Sequence, residues 1–201
     1  MRDQNYLALD LEINTDGNGW VGDIIQVGIS VGNPTVGIYF DEDFLIKPYE
    51  KTNGGLLTPF ITQLTGITQE EFDLDGVTLA DCADRLNQVI KEYNTFVNPV
   101  QWGLGDADEL LDAFKYKTID FPNFGRRVID VKHLFLYLEA ANGRALSGGL
   151  RSAMGKYKLP FEGKPHDAAR DAYNTLRFFF HLLERQKKLE DCARLMKTIA
   201  Y

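Results

Sequence analysis

The sequence predicts a single α/β domain whose mixed five-stranded sheet is flanked by helices. Two patterns lead to this prediction: β-rich segments with short connections come first along the chain, and apolar strands alternating with amphipathic helices follow. The chain has 201 residues, of which 44% are hydrophobic and 12% aromatic. That is enough apolar material for one sizeable core and too little length for two ordinary domains. We therefore expect one domain over residues 1–201, with its core at about 6–185 and a helical extension at 186–201.

Three predicted strands form an antiparallel meander at the start of the chain. Residues 6–12 are apolar until Asp10 and Glu12 close the run, which predicts a buried strand whose carboxyl end emerges at a site. Two more β-rich runs occupy 23–31 and 36–46. Their connections are short and rich in turn-forming residues, which favours antiparallel pairing.

After residue 48 the pattern changes to helices separated by short strands. Thr78 has the side chain of an N-cap and is followed by apolar residues at helical spacing. The remaining predicted elements are a strand at 96–102, a helix at 106–116, a strand at 127–131, a helix at 132–141, a short helix after Ser147 and a long helix after His166. Parallel strands place their carboxyl ends at one edge, and open sheets bind ligands there.

No segment of the chain has the composition of a membrane anchor. No apolar run approaches the ~20 residues that cross a bilayer, and the polar first residues do not resemble a secretory signal. Cys82 and Cys192 are far apart and have no metal-site spacing, so we expect free thiols that serve in packing. The sequence therefore predicts a cytoplasmic protein that does not bind membranes.

Four carboxylates fall where predicted elements begin or end. Asp10 and Glu12 are two apart on one strand, so both side chains project from the same face. Asp106 follows the fourth strand directly, and Asp171 lies in the first turns of the last helix. This topology can bring all four to one sheet edge.

Such a cluster requires positive charge nearby, because like charges raise one another's pKa. Hard divalent cations supply it, and Mg²⁺ is typically held by a few carboxylates. Two such ions about 4 Å apart stabilise both the attacking and the leaving oxygen of a phosphodiester displacement. Histidine titrates near neutral pH, so His166 is a candidate for the base that deprotonates the attacking water.

Five short segments in a fixed order carry a resemblance to a known family. They are Asp10-x-Glu12, Asp23-Ile24-Ile25-Gln26-Val27-Gly28, Leu64-Thr65-Gly66-Ile67-Thr68, Trp102-Gly103-x-x-Asp106-x-x-x-Leu110 and His166-Asp167-Ala168-x-x-Asp171-Ala172. Together they resemble the DEDDh branch of the DnaQ-like 3′–5′ exonucleases, which have a ribonuclease-H-like fold. The resemblance spans about residues 6–185, and its histidine branch is indicated by the spacing from His166 to Asp171.

The resemblance implies roles for seven residues in a two-metal exonuclease that releases nucleoside 5′-monophosphates from the 3′ end of a single strand. The ions, Mg²⁺ or Mn²⁺, would be held by Asp10, Glu12 and Asp171, with Asp10 bridging and Asp106 supporting the second. His166 would be the general base. The backbone near Ile13 and the Thr65 region would grip the 3′-terminal nucleotide. Ile13 and Gly105 depart from the family's usual residues, which affects the nucleotide pocket and not the metal ligands.

Several alternatives stay open at this stage. An RNA 3′-end trimming exoribonuclease or oligoribonuclease would use the same residues, and the choice between DNA and RNA depends on contacts to the 2′ position. A catalytically silent nucleic-acid-binding module is the alternative from another class, although such a module has no need of the four acids and His166 together. Protein partners and homo-oligomers are not indicated either way.

The charge of the chain is unevenly distributed. The net charge of −7 by itself argues against a polyanionic partner. Residues 1–100, however, carry 16 acidic and five basic residues, whereas residues 115–188 carry seven acidic and 15 basic ones. We expect some cations of the second region to face the phosphate backbone of a strand entering the site, the candidates being Arg126, Arg127, Arg144, Arg151, Lys156, Lys158, Lys164 and Arg170.

Overall fold

A five-stranded mixed sheet forms the centre of the computed structural model, which describes residues 4–50 and 52–199. The strand order is β3-β2-β1-β4-β5, with β1–β3 antiparallel and β4 and β5 parallel to β1. This confirms the predicted sheet. The strands are β1 Tyr6–Thr15, β2 Val21–Asn33, β3 Gly37–Leu45, β4 Val100–Gln101 and β5 Ile129–Asp130.

The last two strands are much shorter than the sequence predicts. Instead of spanning 96–102 and 127–131, β4 and β5 have two residues each. Pro99 has no N–H to donate to a ladder, and its carbonyl oxygen accepts a hydrogen bond from the N–H of Ile129 just before pairing begins. The predicted runs therefore form continuous ladder pairing only toward their carboxyl ends.

Seven helices are present in the described part of the chain. They are α1 Pro59–Thr65, α2 Gln69–Asp75, α3 Leu79–Tyr93, α4 Asp106–Tyr116, α5 Val131–Ala141, α6 Leu150–Lys156 and α7 Ala168–Ile199. Thr78 caps α3 as predicted, since its side chain accepts a hydrogen bond from the N–H of Asp81. The seven-residue helices α1 and α2 are too short for a clear periodicity, but threonine caps at Thr58 and Thr68 mark where they begin.

Alternation along β1 decides which residues face which layer of helices. Leu7, Leu9 and Leu11 lie in the apolar core with α3 and α4, on one side of the sheet. Ala8 lies in the second core with α5, α6 and α7. Because successive side chains of a strand point to opposite faces, Asp10 is directed to the side of the sheet that α7 covers.

The long helix α7 packs against β1, β2 and β3. Phe178 and Phe179 are buried in the second core, so these aromatic side chains serve in packing. The predicted extension at 186–201 continues α7 without a break as far as Ile199, and its last two residues lie outside the described part. Cys82 is buried as expected, but Cys192 is exposed on α7, so the prediction that it serves in packing is wrong.

A glycine allows α7 to begin directly on the sheet. Gly28 pairs with Asp10 across β1 and β2. A Cβ atom at Gly28 would lie 2.0 Å from the carbonyl carbon of Ala168 and 2.3 Å from the amide nitrogen of Ala169. The start of α7 is held there by Gln26, whose Oε1 accepts a hydrogen bond of 3.2 Å from the N–H of Ala168. This close approach brings the first turn of α7 to the carboxyl end of β1.

No helix in the described ranges is both long enough and apolar enough to cross a membrane.

Replacing Gly28 with Ala should destabilise the protein, because the new methyl group meets backbone atoms that cannot rotate away. We expect the free energy of unfolding to fall by about 2 kcal/mol or more, measured by urea denaturation. Gly155→Ala is the matched control, since Gly155 lies within α6 and a Cβ there meets nothing within 4 Å. This control should raise stability by about 0.5–1 kcal/mol. Equal stability of the two variants would show that the contact at Gly28 is not tight.

Candidate active site

The predicted carboxylates meet in a cleft of about 760 Å³ at the carboxyl ends of the strands. We call this the acidic cleft. It is lined by Asp10, Leu11, Glu12, Trp102, Gly149, Leu150, Arg151, Ser152, Phe161, Pro165, His166 and Asp171. Asp106 is not among these lining residues, but it lies near enough to raise the pKa of both Asp10 and Glu12. The four carboxylates thus form one electrostatic group.

Three of the side chains could contact a single ion. One oxygen of Glu12, one of Asp171 and a ring nitrogen of His166 all lie within 4.8 Å of one another. The Nδ1 atom of His166 is 4.0 Å from Oε1 of Glu12. Glu12 is 7% exposed, whereas the ring of His166 is about half exposed at the rim of the cleft. The histidine is therefore accessible to water while it remains beside the acids.

A hydrogen bond from the backbone fixes the position of Asp171. The N–H of His166 donates to Oδ2 of Asp171 over 2.8 Å. This contact requires a tight turn before α7, and His166 adopts a left-handed conformation with φ of 63°. Asp167 caps the helix, since its Oδ1 accepts hydrogen bonds from the N–H groups of Ala169 and Arg170. The remaining oxygen of Asp171 is available to a ligand.

Asp106 is placed by a buried glutamine and a second aspartate. The side chain of Gln101 donates to the carbonyl oxygen of Gly103 over 2.8 Å and accepts from the N–H of Ala107 over 3.2 Å. On the other side, Oδ1 of Asp130 accepts from the N–H of Gly103 over 3.1 Å. These bonds clamp the turn between β4 and α4 from both ends, and Asp106 is the first residue of that helix.

The turn also explains one of the two atypical residues. Gly105 has φ of 125° and ψ of −48°, a conformation that residues with a Cβ rarely adopt. A glycine is thus required at this position by the geometry that starts α4.

Burial and neighbouring carboxylates raise the pKa of all four acids. Desolvation is the largest cause in each case. The pKa of Asp10 is raised well above its ordinary value, with further contributions from Asp106, Asp171 and Glu12. The pKa of Glu12 rises to about 8 and that of Asp106 to about 6, while that of Asp171 is also raised. A set of buried oxygen donors that resists losing its protons in this way suits a hard divalent cation.

Ile13 and Thr65 do not line the acidic cleft. Ile13 follows Glu12 at a β-bulge and packs against the core on the α3 side. Thr65 lines a smaller cavity of about 250 Å³ together with Gln26 and Asp167. Its hydroxyl group donates to the carbonyl oxygen of Ile61 over 2.9 Å. Their predicted contacts with a nucleotide stay predictions.

Half of the predicted phosphate-binding cations are held elsewhere. Arg144 and Lys156 form ion pairs with Glu139, and Arg170 forms one with Asp41. The ammonium group of Lys164 donates to the carbonyl oxygen of Thr65 over 2.9 Å. Of the eight candidates, Arg151 is the one that lines the acidic cleft.

The polar residues that position the acids are not among the site residues that the sequence predicts. Gln26, Gln101 and Asp130 contact the backbone at the start of α7 and α4 and touch no predicted ligand directly. A signal was present, because Gln26 and Gln101 are polar residues inside apolar strands. Buried side-chain amides need hydrogen-bond partners, and the nearest unpaired N–H groups belong to helix starts.

Comparisons with known proteins agree with this geometry. A family model described as an exonuclease, RNase_T, matches residues 7–179. No curated protein matches the sequence. Among solved structures, the nuclease domain of 3′hExo, a DEDDh family member bound to rAMP, has a TM-score of 0.75 at 21% identity. The match covers 92% of this chain and 94% of that one.

Two further structures are similar over most of this chain. Cell-death related nuclease 4 (CRN-4) has a TM-score of 0.76 at 22% identity, with 91% of this chain and 64% of that chain covered. Exonuclease I of E. coli, in complex with a dT13 oligonucleotide, has a TM-score of 0.72 at 18% identity. The match covers 99% of this chain but only 45% of Exonuclease I. At these identities the likeness concerns the fold, and it confirms the predicted ribonuclease-H-like architecture.

Without metal, the protein should lose stability as the pH rises from about 5 to about 8.5. The pKa of Glu12 is raised from 4.5 to about 8 and that of Asp106 from 3.8 to about 6, so the native state holds protons that the unfolded chain has released. The free energy of unfolding must then fall with pH, by on the order of 5 kcal/mol. Urea denaturation in a chelating buffer measures this.

Glu12→Gln removes one of the titrating groups and should flatten the pH dependence. Glu92→Gln, a change at an exposed position of α3, should leave the slope as in the wild type. A metal-free protein that becomes more stable across this range would contradict the assigned electrostatics.

Proposed function

Because this chain belongs to the exonuclease family, as a DnaQ-like 3′–5′ exonuclease, we propose that it hydrolyses single-stranded nucleic acid from the 3′ end and releases nucleoside 5′-monophosphates. The observation that carries this proposal is the convergence of Asp10, Glu12, Asp106 and Asp171 beside His166. One exonuclease domain over the whole chain is part of the proposal.

We propose that two divalent ions, Mg²⁺ or Mn²⁺, are held by this set of residues. Asp10, Glu12 and Asp171 would bind them, with Asp10 shared and Asp106 supporting the second ion. The raised pKa values of all four acids support this assignment, because each bound cation would offset the repulsion between them. When bound, such ions stabilise the attacking and leaving oxygens of a phosphodiester displacement. A zinc ion is present in one structure of the E. coli Exonuclease I complex with single-stranded DNA.

His166 would remove the proton from the attacking water. Its ring lies beside Glu12 and about half of it is open to solvent, so it can accept a proton and return it to bulk water. The water oxygen forms a bond to phosphorus, the bond from phosphorus to the 3′ oxygen of the preceding nucleotide breaks, and the terminal nucleotide leaves as a 5′-monophosphate. The proton of the water passes to the imidazole, and the leaving oxygen takes a proton from solvent.

The walls of the acidic cleft suit one nucleotide and its neighbour. Leu11, Trp102, Leu150 and Phe161 supply apolar and aromatic surface around the acids. The volume of about 760 Å³ is within the range of small-molecule sites. The backbone near Ile13 and the segment around Thr65 would complete the grip on the 3′-terminal nucleotide.

Whether the substrate is DNA or RNA needs a direct test. The similar structures include complexes with rAMP and with a DNA oligonucleotide, so an RNA 3′-end trimming exoribonuclease or oligoribonuclease uses the same fold. Digestion of 5′-labelled DNA and RNA of identical sequence, single- and double-stranded, with Mg²⁺ and with Mn²⁺, separates these activities. We also propose a cytoplasmic location, which the free thiols of Cys82 and Cys192 support.

Asp10→Asn should abolish metal-dependent degradation and leave the protein folded. It removes a buried negative charge, so the metal-free variant should be at least as stable as the wild type while activity falls by about a hundredfold or more. Asp108→Asn, at an exposed position two residues after Asp106, is the matched control and should keep full activity. Unchanged degradation by Asp10→Asn would place the activity at another site or in a contaminant.

His166→Asn should reduce kcat by about 10² to 10⁴ and preserve metal binding. For the wild type, Mg²⁺ at a hundred times its Kd should raise the free energy of unfolding by about 2.7 kcal/mol, seen as a higher Tm. The variant should show nearly the same increase in Tm, because the carboxylates are intact. Loss of that increase together with activity would make His166 a metal ligand instead of the base.

A further inference from the structure

The acidic cleft contains one cation whose role the proposed reaction does not explain. Among the described residues that line the cleft, Arg151 is the only lysine or arginine. Its side chain is exposed, and it forms no ion pair with any described carboxylate. An arginine that lines an acidic site and is not neutralised by it is free to bind an anion.

The helix that carries Arg151 is firmly anchored. Leu150, Ala153 and Met154 of α6 are buried in the core shared with α5 and α7. At the end of α6, the ammonium group of Lys156 lies 3.4 Å from Oε2 of Glu139, a carboxylate with no exposed surface. Packing and an ion pair therefore fix the position of α6, and with it that of Arg151, relative to the cleft.

The neighbouring cations Arg144 and Lys156 differ from Arg151, because both are paired with Glu139. Glu139 also binds Arg144 over 3.2 Å and accepts from the hydroxyl group of Tyr157 over 3.4 Å. Burial alone would raise the pKa of Glu139, but the hydrogen bonds from Arg144 and Lys156 lower it below its ordinary value. Arg144 and Lys156 are thus neutralised by a carboxylate in the wall of the cleft, whereas Arg151 forms no such ion pair.

The chemistry of the guanidinium group identifies its ligand. Its planar array of N–H donors matches the oxygens of a phosphate, and each such contact is charge-assisted. The scissile phosphate must sit at the carboxylates, and Arg151 makes no ion pair with them. Arg151 lines the same cleft, so the adjacent phosphate along the strand is the nearest anion left for it to bind.

We propose that Arg151 binds the phosphodiester group immediately 5′ to the scissile one, in the part of the strand that remains after cleavage. This inference rests on the proposed exonuclease function. Arg151 would then hold the shortened strand in register for the next cleavage. The contact is available only to substrates with at least two phosphodiester groups, so a dinucleoside monophosphate cannot use it.

The test compares substrates with and without that phosphate. Steady-state kinetics would be measured for wild type, Arg151→Ala and Arg151→Lys on an octanucleotide and on a dinucleoside monophosphate, in the sugar form that the wild type degrades. Where the dinucleotide turns over too slowly, its inhibition constant replaces its KM. Lys91→Ala is the matched control, because Lys91 is an exposed cation on α3 that does not line the cleft.

Arg151→Ala should raise KM for the octanucleotide about tenfold or more, with kcat nearly unchanged. The logarithmic salt dependence of KM should become shallower by about one. Arg151→Lys should be intermediate, since it keeps the charge and loses the planar fork. The dinucleotide should bind all variants equally, and Lys91→Ala should behave as the wild type on both substrates.

Three results would overturn the inference. Equal loss on both substrates would place Arg151 at the scissile phosphate or give it a structural role. Wild-type behaviour of Arg151→Ala on the octanucleotide would remove any role in binding and leave the exonuclease function intact. A wild-type protein that degrades neither substrate, with any metal, would refute the proposed function together with this inference.

Discussion

Electrostatic repulsion between the carboxylates that meet beside the carboxyl end of β1 determines how the surrounding elements are held. Asp10, Glu12, Asp106 and Asp171 come from three distant parts of the chain, and the other acids raise the pKa of Asp10 and of Glu12. Such an arrangement costs free energy in the metal-free protein. The surrounding fold must therefore hold in place the elements that carry the acids.

Backbone contacts meet this requirement at each element. Gly28 lets α7 begin directly on β2, and Gln26 binds the first N–H of that helix. Gln101 and Asp130 clamp the turn that leads into α4. None of these residues is cationic, so each positions an acid without neutralising it. The excess negative charge of the site is left for cations to offset, which agrees with a function that requires divalent metals.

The sequence predicted those parts of the molecule that follow from local pattern. Alternation placed Asp10 and Glu12 on one face of β1, and helical spacing placed Asp171 near the start of α7, because both periods are short and strong. The short strands β4 and β5 were less predictable, since their pairing depends on where Pro99 lets the ladder begin. Which basic side chains form ion pairs could not be predicted either. Arg170 pairs with Asp41, which is 129 residues away, and only the folded chain shows that Arg151 alone remains free in the cleft.

The coupling of metal binding to proton release tests the central claim most directly. Some of the four carboxyl groups are protonated near pH 7 in the metal-free protein, because the pKa of Glu12 is about 8 and that of Asp10 is strongly raised. Calorimetric titration with Mg²⁺ or Mn²⁺, in buffers of different ionisation enthalpy, counts both ions and protons. We predict that binding releases protons at about pH 7, releases fewer at about pH 9, and is lost in Asp10→Asn. Metal binding without proton release at neutral pH, or undiminished binding in that variant, would contradict the account.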